Sequence, residues 1–325
     1  MIKARISGMG FYAPEKVYDN AYMEQIVETN DEWIVQRTGI KQRHISADDE
    51  FTSDLATKAA LAALENSGTS AEEIELIIVA TVTPDYFTPS TACVVQKNIG
   101  AENAAAFDMN AACSGFVAAL DTAEKFIAVG KYKKVLVIGA DALSKATDYK
   151  DRSTCILFGD AAGAAVVEAS EKGGLIASRI GAKGKDYDKI TNLAYRKDDA
   201  ELEKRITKRN GLLWMAGSEV MKFAVRVMAD AAKKVAEDAG IEIQDVDLLV
   251  PHQANIRIID GAAKRLDIDD EKVFKNIQKY GNTSAASIPV ALCEALSEGK
   301  IKEGDKVLIV GFGAGLTWGA ALIEW

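Results

Sequence analysis

Histidine is scarce in this 325-residue chain: only His44 and His252 occur. A metal site built from several histidines is not expected, and histidine-dependent chemistry must fall on one of two residues. There are four cysteines, Cys93, Cys113, Cys155 and Cys293, with no CxxC and no close pairing. Neither a metal cage nor a disulfide framework fits them, so no metal is expected and the thiols read as reduced. No apolar run approaches the roughly 20 residues of a membrane span, and Met1–Gly10 contains no signal-peptide core. The expected location is cytoplasmic, with no membrane partner. A net charge of −9 argues against nucleic acid as a partner. What the chain does have is 48% hydrophobic and 27% charged residues, a soluble composition with a sizeable core.

Short apolar runs alternate with alanine-rich amphipathic stretches. Leu76–Ala80, Val135–Gly139, Ala164–Val167, Leu248–Val250 and Val307–Val310 read as buried strands. Asp54–Asn66, Ser114–Val129, Glu219–Ala239, Asn255–Leu266 and Ser287–Ser297 read as helices, with Gly68, Gly130 and Gly240 at C-cap positions. Such alternation implies an α/β layered fold. The two halves also resemble each other. Gly68 matches Gly240, an offset of 172 (240 − 68), and VLVIG from Val135 matches VLIVG from Val307 at the same offset. GAAVVE from Gly163 matches GAALIE from Gly319 at a shorter one. We read an internal duplication, residues 1–171 as one unit and 172–325 as the other. Between them, Lys183–Arg209 is polar and reads as a surface excursion, although it carries Ile190, Leu193, Tyr195, Leu202 and Ile206.

Cys113 lies in DMNAACSG, before the helical spacing Phe116, Val117, Leu120, Ala123, Ile127. A sulfur at a helix N-terminus meets free N–H groups and the positive dipole end, which favour thiolate and lower its pKa. A buried structural cysteine fits the local pattern equally well. His252 follows a strand in PHQAN, and Asn282 lies in GNTS before another helix. Two donors, His Nε2–H and the Asn amide, aimed at one thioester oxygen would stabilise an enolate. The glycine loop GFGAGLTWG, from Gly311, has no following Lys-Ser/Thr and opens no helix, so a backbone-donor loop fits it better than a phosphate cradle. His44, on a polar stretch, reads as structural.

Taken together, WIVQRTGI from Trp33, Arg43-His44-Ile45, Cys113 in its Ala-Cys-Ser-Gly setting, FGDAAGA from Phe158, PHQAN, GNTSAAS and GFGAGLTWG resemble β-ketoacyl-ACP synthase III, within the thiolase-like condensing enzymes. The resemblance covers the whole chain. It implies a five-layered α/β/α/β/α thiolase-like fold, a homodimer, and decarboxylating condensation of an acyl-CoA primer with malonyl-ACP through an acyl-Cys113 intermediate. CoA and acyl carrier protein (ACP) enter as substrate carriers, with no resident cofactor. The resemblance further implies Cys113, His252 and Asn282 as catalytic residues and the backbone of Cys113 and Ala314 as oxyanion hole. Trp33 and Arg152 would sandwich the CoA adenine, Arg37 would contact its phosphates, and Gly217 and Asn255 would line the pantetheine channel. Lys222, Arg257, Lys264 and Arg265 would receive the acidic carrier protein. Many members carry an aromatic where Thr88 stands here, with Phe87 and Tyr86 before it, so the primer pocket is open to a longer chain.

A plain thiolase would need a second catalytic cysteine late in the chain, and Cys293 falls within a helix pattern instead. Elongating synthases use a second histidine, and none follows His252. A hydroxymethylglutaryl-CoA synthase would need a catalytic glutamate ahead of the cysteine, which the 102–109 region does not place. A Cys-His-Asn polyketide-type ketosynthase or acyltransferase remains as the alternative, and a non-catalytic acyl-CoA binder as the reading from another class.

Overall fold

A computed structural model describes residues 2–194 and 211–325; Tyr195, Leu202 and Ile206 lie outside them. Strands β1 (Lys3–Tyr12), β4 (Leu76–Ala80), β5 (Ala105–Met109), β6 (Lys134–Ala142) and β7 (Asp160–Ser170) form one sheet in the order β1-β7-β6-β4-β5. Strands β8 (Gly174–Ala182), β11 (Leu248–Pro251), β12 (Lys306–Gly313) and β13 (Thr317–Glu324) form a second, in the order β11-β12-β13-β8. Two ribbons, β2 (Val17–Asp19) with β3 (Gln42–His44) and β9 (Ile190–Asn192) with β10 (Leu213–Met215), complete the set among the described residues.

The hydrophobic pattern dictates the layering. Strand β4 is buried at all five positions because helices cover both faces of its sheet. On one face, Leu55, Ala59 and Ala63 of helix Thr52–Ser67 pack against Ile77, Val79 and Ile138. On the other, Phe116, Leu120 and Ile127 of helix Gly115–Ala128 join Ile288 and Leu292 of helix Ser287–Ser297 in a central core that also takes Val250 and Ile309 from the second sheet. Helices Gly217–Ala239 and Ile256–Leu266 cover the far side of that sheet. The result is the five-layered α/β/α/β/α arrangement.

The duplication extends to backbone detail. Helices Thr52–Ser67 and Gly217–Ala239 end on left-handed Gly68 (φ 64°) and Gly240 (φ 71°). Two short turns, Ala112–Ser114 and Ser284–Ala286, precede the two central helices, and each begins on a non-glycine residue in the left-handed region, Ala112 (φ 49°) and Ser284 (φ 52°). The offset is again 172 (284 − 112). The start of the 183–209 excursion is less peripheral than its polarity suggested: Tyr187, Ile190, Asn192 and Leu193 line the main cavity.

Candidate active site

The sheets converge on a cavity of about 1480 Å³ lined by Cys113, His252, Asn282, Phe312 and Ala314 among others. Cys113 and His252 each lie between the end of a strand and the start of a helix; Asn282 instead follows the short helix Ile277–Tyr280 and precedes the turn into helix Ser287–Ser297. Cys113 occupies the turn between β5 and helix Gly115–Ala128. That turn packs against β12 at Gly313, where an added Cβ would lie 2.5 Å from the Cys113 nitrogen, so only glycine permits the approach. His252 leaves β11 with its N–H donating to the Val310 carbonyl at 2.8 Å. Asn282 is held by its neighbours: its N–H donates to the Leu157 carbonyl (2.8 Å), and its Oδ1 accepts from Ser284 N–H (2.9 Å). With Oδ1 committed to the backbone, the amide Nδ2 is the group left for a ligand.

Asp141 ties the two halves together here. Fully buried, it accepts from Thr81 Oγ1 (2.9 Å), Val82 N–H (2.7 Å) and Thr83 Oγ1 (3.1 Å) of the first half and from Ala285 N–H (3.2 Å) of the second. Burial raises its pKa, and those donors oppose the rise. Ser284 interacts with both the Cys113 thiol and the Asp141 carboxylate while closing a well-aligned hydrogen bond with neither.

The electrostatics correct one expectation. Burial pushes the Cys113 thiol up to about 12, with the Asp141 charge adding to the rise and Ser284 and the local backbone opposing it. Burial thus outweighs the favourable turn and favours the thiol form, although Cys113 keeps some exposure to the cavity. His252, 1% exposed, is lowered by burial to about 3 and is therefore neutral. Its ring meets Phe312 edge-on, centroids 5.5 Å apart, and its Nδ1 lies 2.6 Å from Ser287 Oγ. A neutral histidine and a neutral amide lining the same cavity as the thiol offer donors without charge, suited to an oxyanion that forms only during reaction.

The remaining predicted residues divide between the cavity wall and the surface outside it. Trp33 and Arg37 lie on helix Asp31–Thr38, whose N-cap Asn30 accepts from Trp33 N–H. The guanidinium carbons of Arg37 and Arg152 each sit 5.0 Å from the Trp33 ring centroid. Arg152 also donates to the Glu28 carbonyl (2.9 Å). Trp33, Arg37, Phe87, Thr88, Gly217, Asn255 and Arg257 line the cavity; Arg152, Lys222, Lys264 and Arg265 do not. Asn255 caps helix Ile256–Leu266, accepting from Arg257 N–H. Arg257, Lys264 and Arg265 are exposed on that helix, and Lys222 is exposed nearby in sequence to the cavity-lining Met221. Ala314 has a negative φ, and its N–H makes no protein hydrogen bond among the described residues. His44 Nδ1 lies 2.6 Å from the Pro14 carbonyl and its ring stacks on Tyr280, a packing role. Sequence reasoning missed Asp141, Ser284, Ser287 and Phe312. The repeat of Ser at 284 and 287 after Asn282 was the available signal.

Comparison with known proteins agrees with this architecture. Residues 107–184 match the family of 3-oxoacyl-[acyl-carrier-protein (ACP)] synthase III, and residues 236–325 match its C-terminal region. The chain is 53% identical to the β-ketoacyl-[acyl-carrier-protein] synthase III of Clostridioides difficile, over 99% of this chain and 98% of that one. The crystal structure of 3-oxoacyl-[acyl-carrier-protein] synthase III from Aquifex aeolicus superposes with a TM-score of 0.92 at 50% identity, covering 99% of this chain and 100% of that one. The corresponding enzyme of Thermus thermophilus gives 0.94 at 46% identity, covering 99% of each. With its thiolase-like layering and a full-length match at half identity, this chain belongs to the β-ketoacyl-ACP synthase III family of condensing enzymes.

Proposed function

We propose that the chain condenses an acyl-CoA primer with malonyl-ACP to begin fatty-acid synthesis, using Cys113 as the acyl carrier. The observation that carries this is that Cys113, neutral His252 and Asn282 all line one cavity. The Cys113 sulfur attacks the acyl thioester; its bond to the acyl carbon forms as the carbon–sulfur bond to CoA breaks. The thiol proton ends on the departing CoA sulfur. Backbone N–H groups of Cys113 and Ala314 receive the oxyanion. Malonyl-ACP then enters, and the His252 and Asn282 donors hold its thioester oxygen while CO2 leaves. The enolate carbon attacks the acyl-cysteine, β-ketoacyl-ACP departs, and Cys113 regains a proton from solvent.

The stack of Arg37, Trp33 and Arg152 supports a purine and phosphates at the mouth. Lys222, Arg257, Lys264 and Arg265 form the docking surface for an acidic carrier on a chain whose net charge is −9. CoA and ACP are substrate carriers, and no resident cofactor enters this scheme. The chain works as a homodimer. Edge strand β5 and the exposed aromatics Tyr86 (58%) and Phe87 (73%) beside Thr88 support that assembly. A polyketide-type ketosynthase is not favoured, because relatives near half identity are named β-ketoacyl-[acyl-carrier-protein] synthase III, whereas a priming ketosynthase of a polyketide pathway is 34% identical.

The test supplies acyl-CoA and malonyl-ACP to the parent and to Cys113→Ser, His252→Ala and Asn282→Ala. The serine variant should form no acyl-enzyme. The other two should acylate Cys113 and lose malonyl decarboxylation by about a hundredfold or more, the scale of a missing oxyanion donor. Full condensation by either donor variant would refute the assignment.

A further inference from the structure

We propose that Ser287 is a positioning residue that holds the His252 proton on Nε2, so that the imidazole always presents a donor to the cavity. The inference rests on the reading of His252 as an oxyanion donor and goes beyond it in saying what makes it one.

A neutral imidazole carries its proton on either nitrogen, and only one tautomer places a donor at Nε2. Burial keeps the ring neutral, so charge does not settle the matter. The hydrogen bonds do. His252 Nδ1 is 2.6 Å from Ser287 Oγ, and both residues are buried, at 1% and 2% exposure. Ser287 Oγ also receives the Gln253 N–H at 3.4 Å. No other acceptor for the Ser287 hydroxyl occurs among the described residues. If Nδ1 carried the proton, it and Gln253 N–H would both donate to Oγ, and the Ser287 proton would be buried without an acceptor. That arrangement forfeits a buried hydrogen bond, which disfavours it. If Nδ1 is bare, Ser287 donates to it, Oγ accepts from Gln253, and every group is satisfied. The proton then resides on Nε2, which has no protein partner among the described residues and belongs to a cavity-lining ring.

The surrounding structure fixes the geometry of the bond. Ser287 is the first residue of a central helix and directly follows the second-half turn that Asp141 grips through Ala285 N–H. In the first half, the residue at offset 172 (287 − 115) is Gly115, which has no side chain to offer. The duplication has thus left one half with the nucleophile and the other with the hydroxyl that sets the histidine.

The experiment is nitrogen NMR on histidine-labelled enzyme, which reads protonation at each ring nitrogen without turnover. With two histidines in the chain, His44 serves as the internal reference. The parent should show Nδ1 of His252 bare and Nε2 protonated. Ser287→Ala should give a mixture of tautomers with His44 unchanged, and kcat for malonyl decarboxylation should fall about tenfold to a hundredfold with KM unaltered. Cys113 acylation from acyl-CoA should persist, and Ser287→Thr, which restores a hydroxyl, should recover much of the rate. An Nδ1-protonated parent, or a Ser287→Ala enzyme with an unchanged tautomer, would overturn the inference. A parent that shows the Nε2 tautomer yet never decarboxylates malonyl-ACP would instead overturn the functional reading.

Discussion

Acid should unfold this protein partly through His252. The ring titrates near its ordinary 6.5 in the unfolded chain and near 3 in the native cavity. Between those values the unfolded state binds a proton that the native state refuses. Stability therefore falls as pH drops through 6.5, at about 1.4 kcal/mol per pH unit, and the whole shift of 3.5 units (6.5 − 3) amounts to about 5 kcal/mol. At about pH 5 the contribution is already about 2 kcal/mol. His252→Gln keeps a polar side chain of similar reach and has no such titration. Parent and variant should be compared by urea unfolding between about pH 8 and pH 5. Their difference in unfolding free energy should stay constant above about pH 7.5 and then move in the variant's favour by about 2 kcal/mol at pH 5. A constant difference over the whole range would refute the claim that His252 is held neutral by burial. The same neutrality predicts that decarboxylation shows no acid limb near 6.5.

Further outcomes follow from the packing and charge. Gly313→Ala forces a Cβ to within 2.5 Å of the Cys113 nitrogen, so Cys113 acylation, followed by mass spectrometry, should drop by about a hundredfold or more, whereas Ala314→Gly in the same loop should retain it. Lys264→Glu on the exposed face of helix Ile256–Leu266 should raise KM for malonyl-ACP about tenfold at low salt and much less at high salt, leaving KM for acyl-CoA nearly unchanged; equal effects on both substrates would remove the carrier surface from this helix.

Much of the fold was legible because it repeats. The strands read at Leu76–Ala80 and Leu248–Val250 and the glycines at 68 and 240 hold corresponding places in the structure, and the same offset relates Ala112 to Ser284. Strand β1 escaped notice because its run, KARISGMGFY, interrupts its apolar residues with glycines and a charge, and its stability comes from pairing with β7 some 160 residues away. The cysteine, histidine and asparagine could be singled out from local sequence, yet their chemistry could not. A helix N-terminus suggests a lowered thiol pKa, but the burial that raises it comes only with folding, which packs β12 at Gly311 and Gly313 against the Cys113 backbone. Asp141 sits inside an ordinary-looking strand, and only the folded molecule brings it to Ala285, 144 residues on. Ser287 was likewise visible only as a polar letter in an alanine-rich helix until His252 was placed 2.6 Å from it.

The central claim is that Cys113 carries the acyl group, and intact-protein mass spectrometry tests it most directly. The protein is mixed with acyl-CoAs from acetyl to about twelve carbons, and the best primer measures the pocket beside Thr88. The account predicts a mass gain of one acyl group that vanishes in Cys113→Ser and is released by malonyl-ACP. No gain with any primer, or a gain that survives the serine substitution, would contradict it.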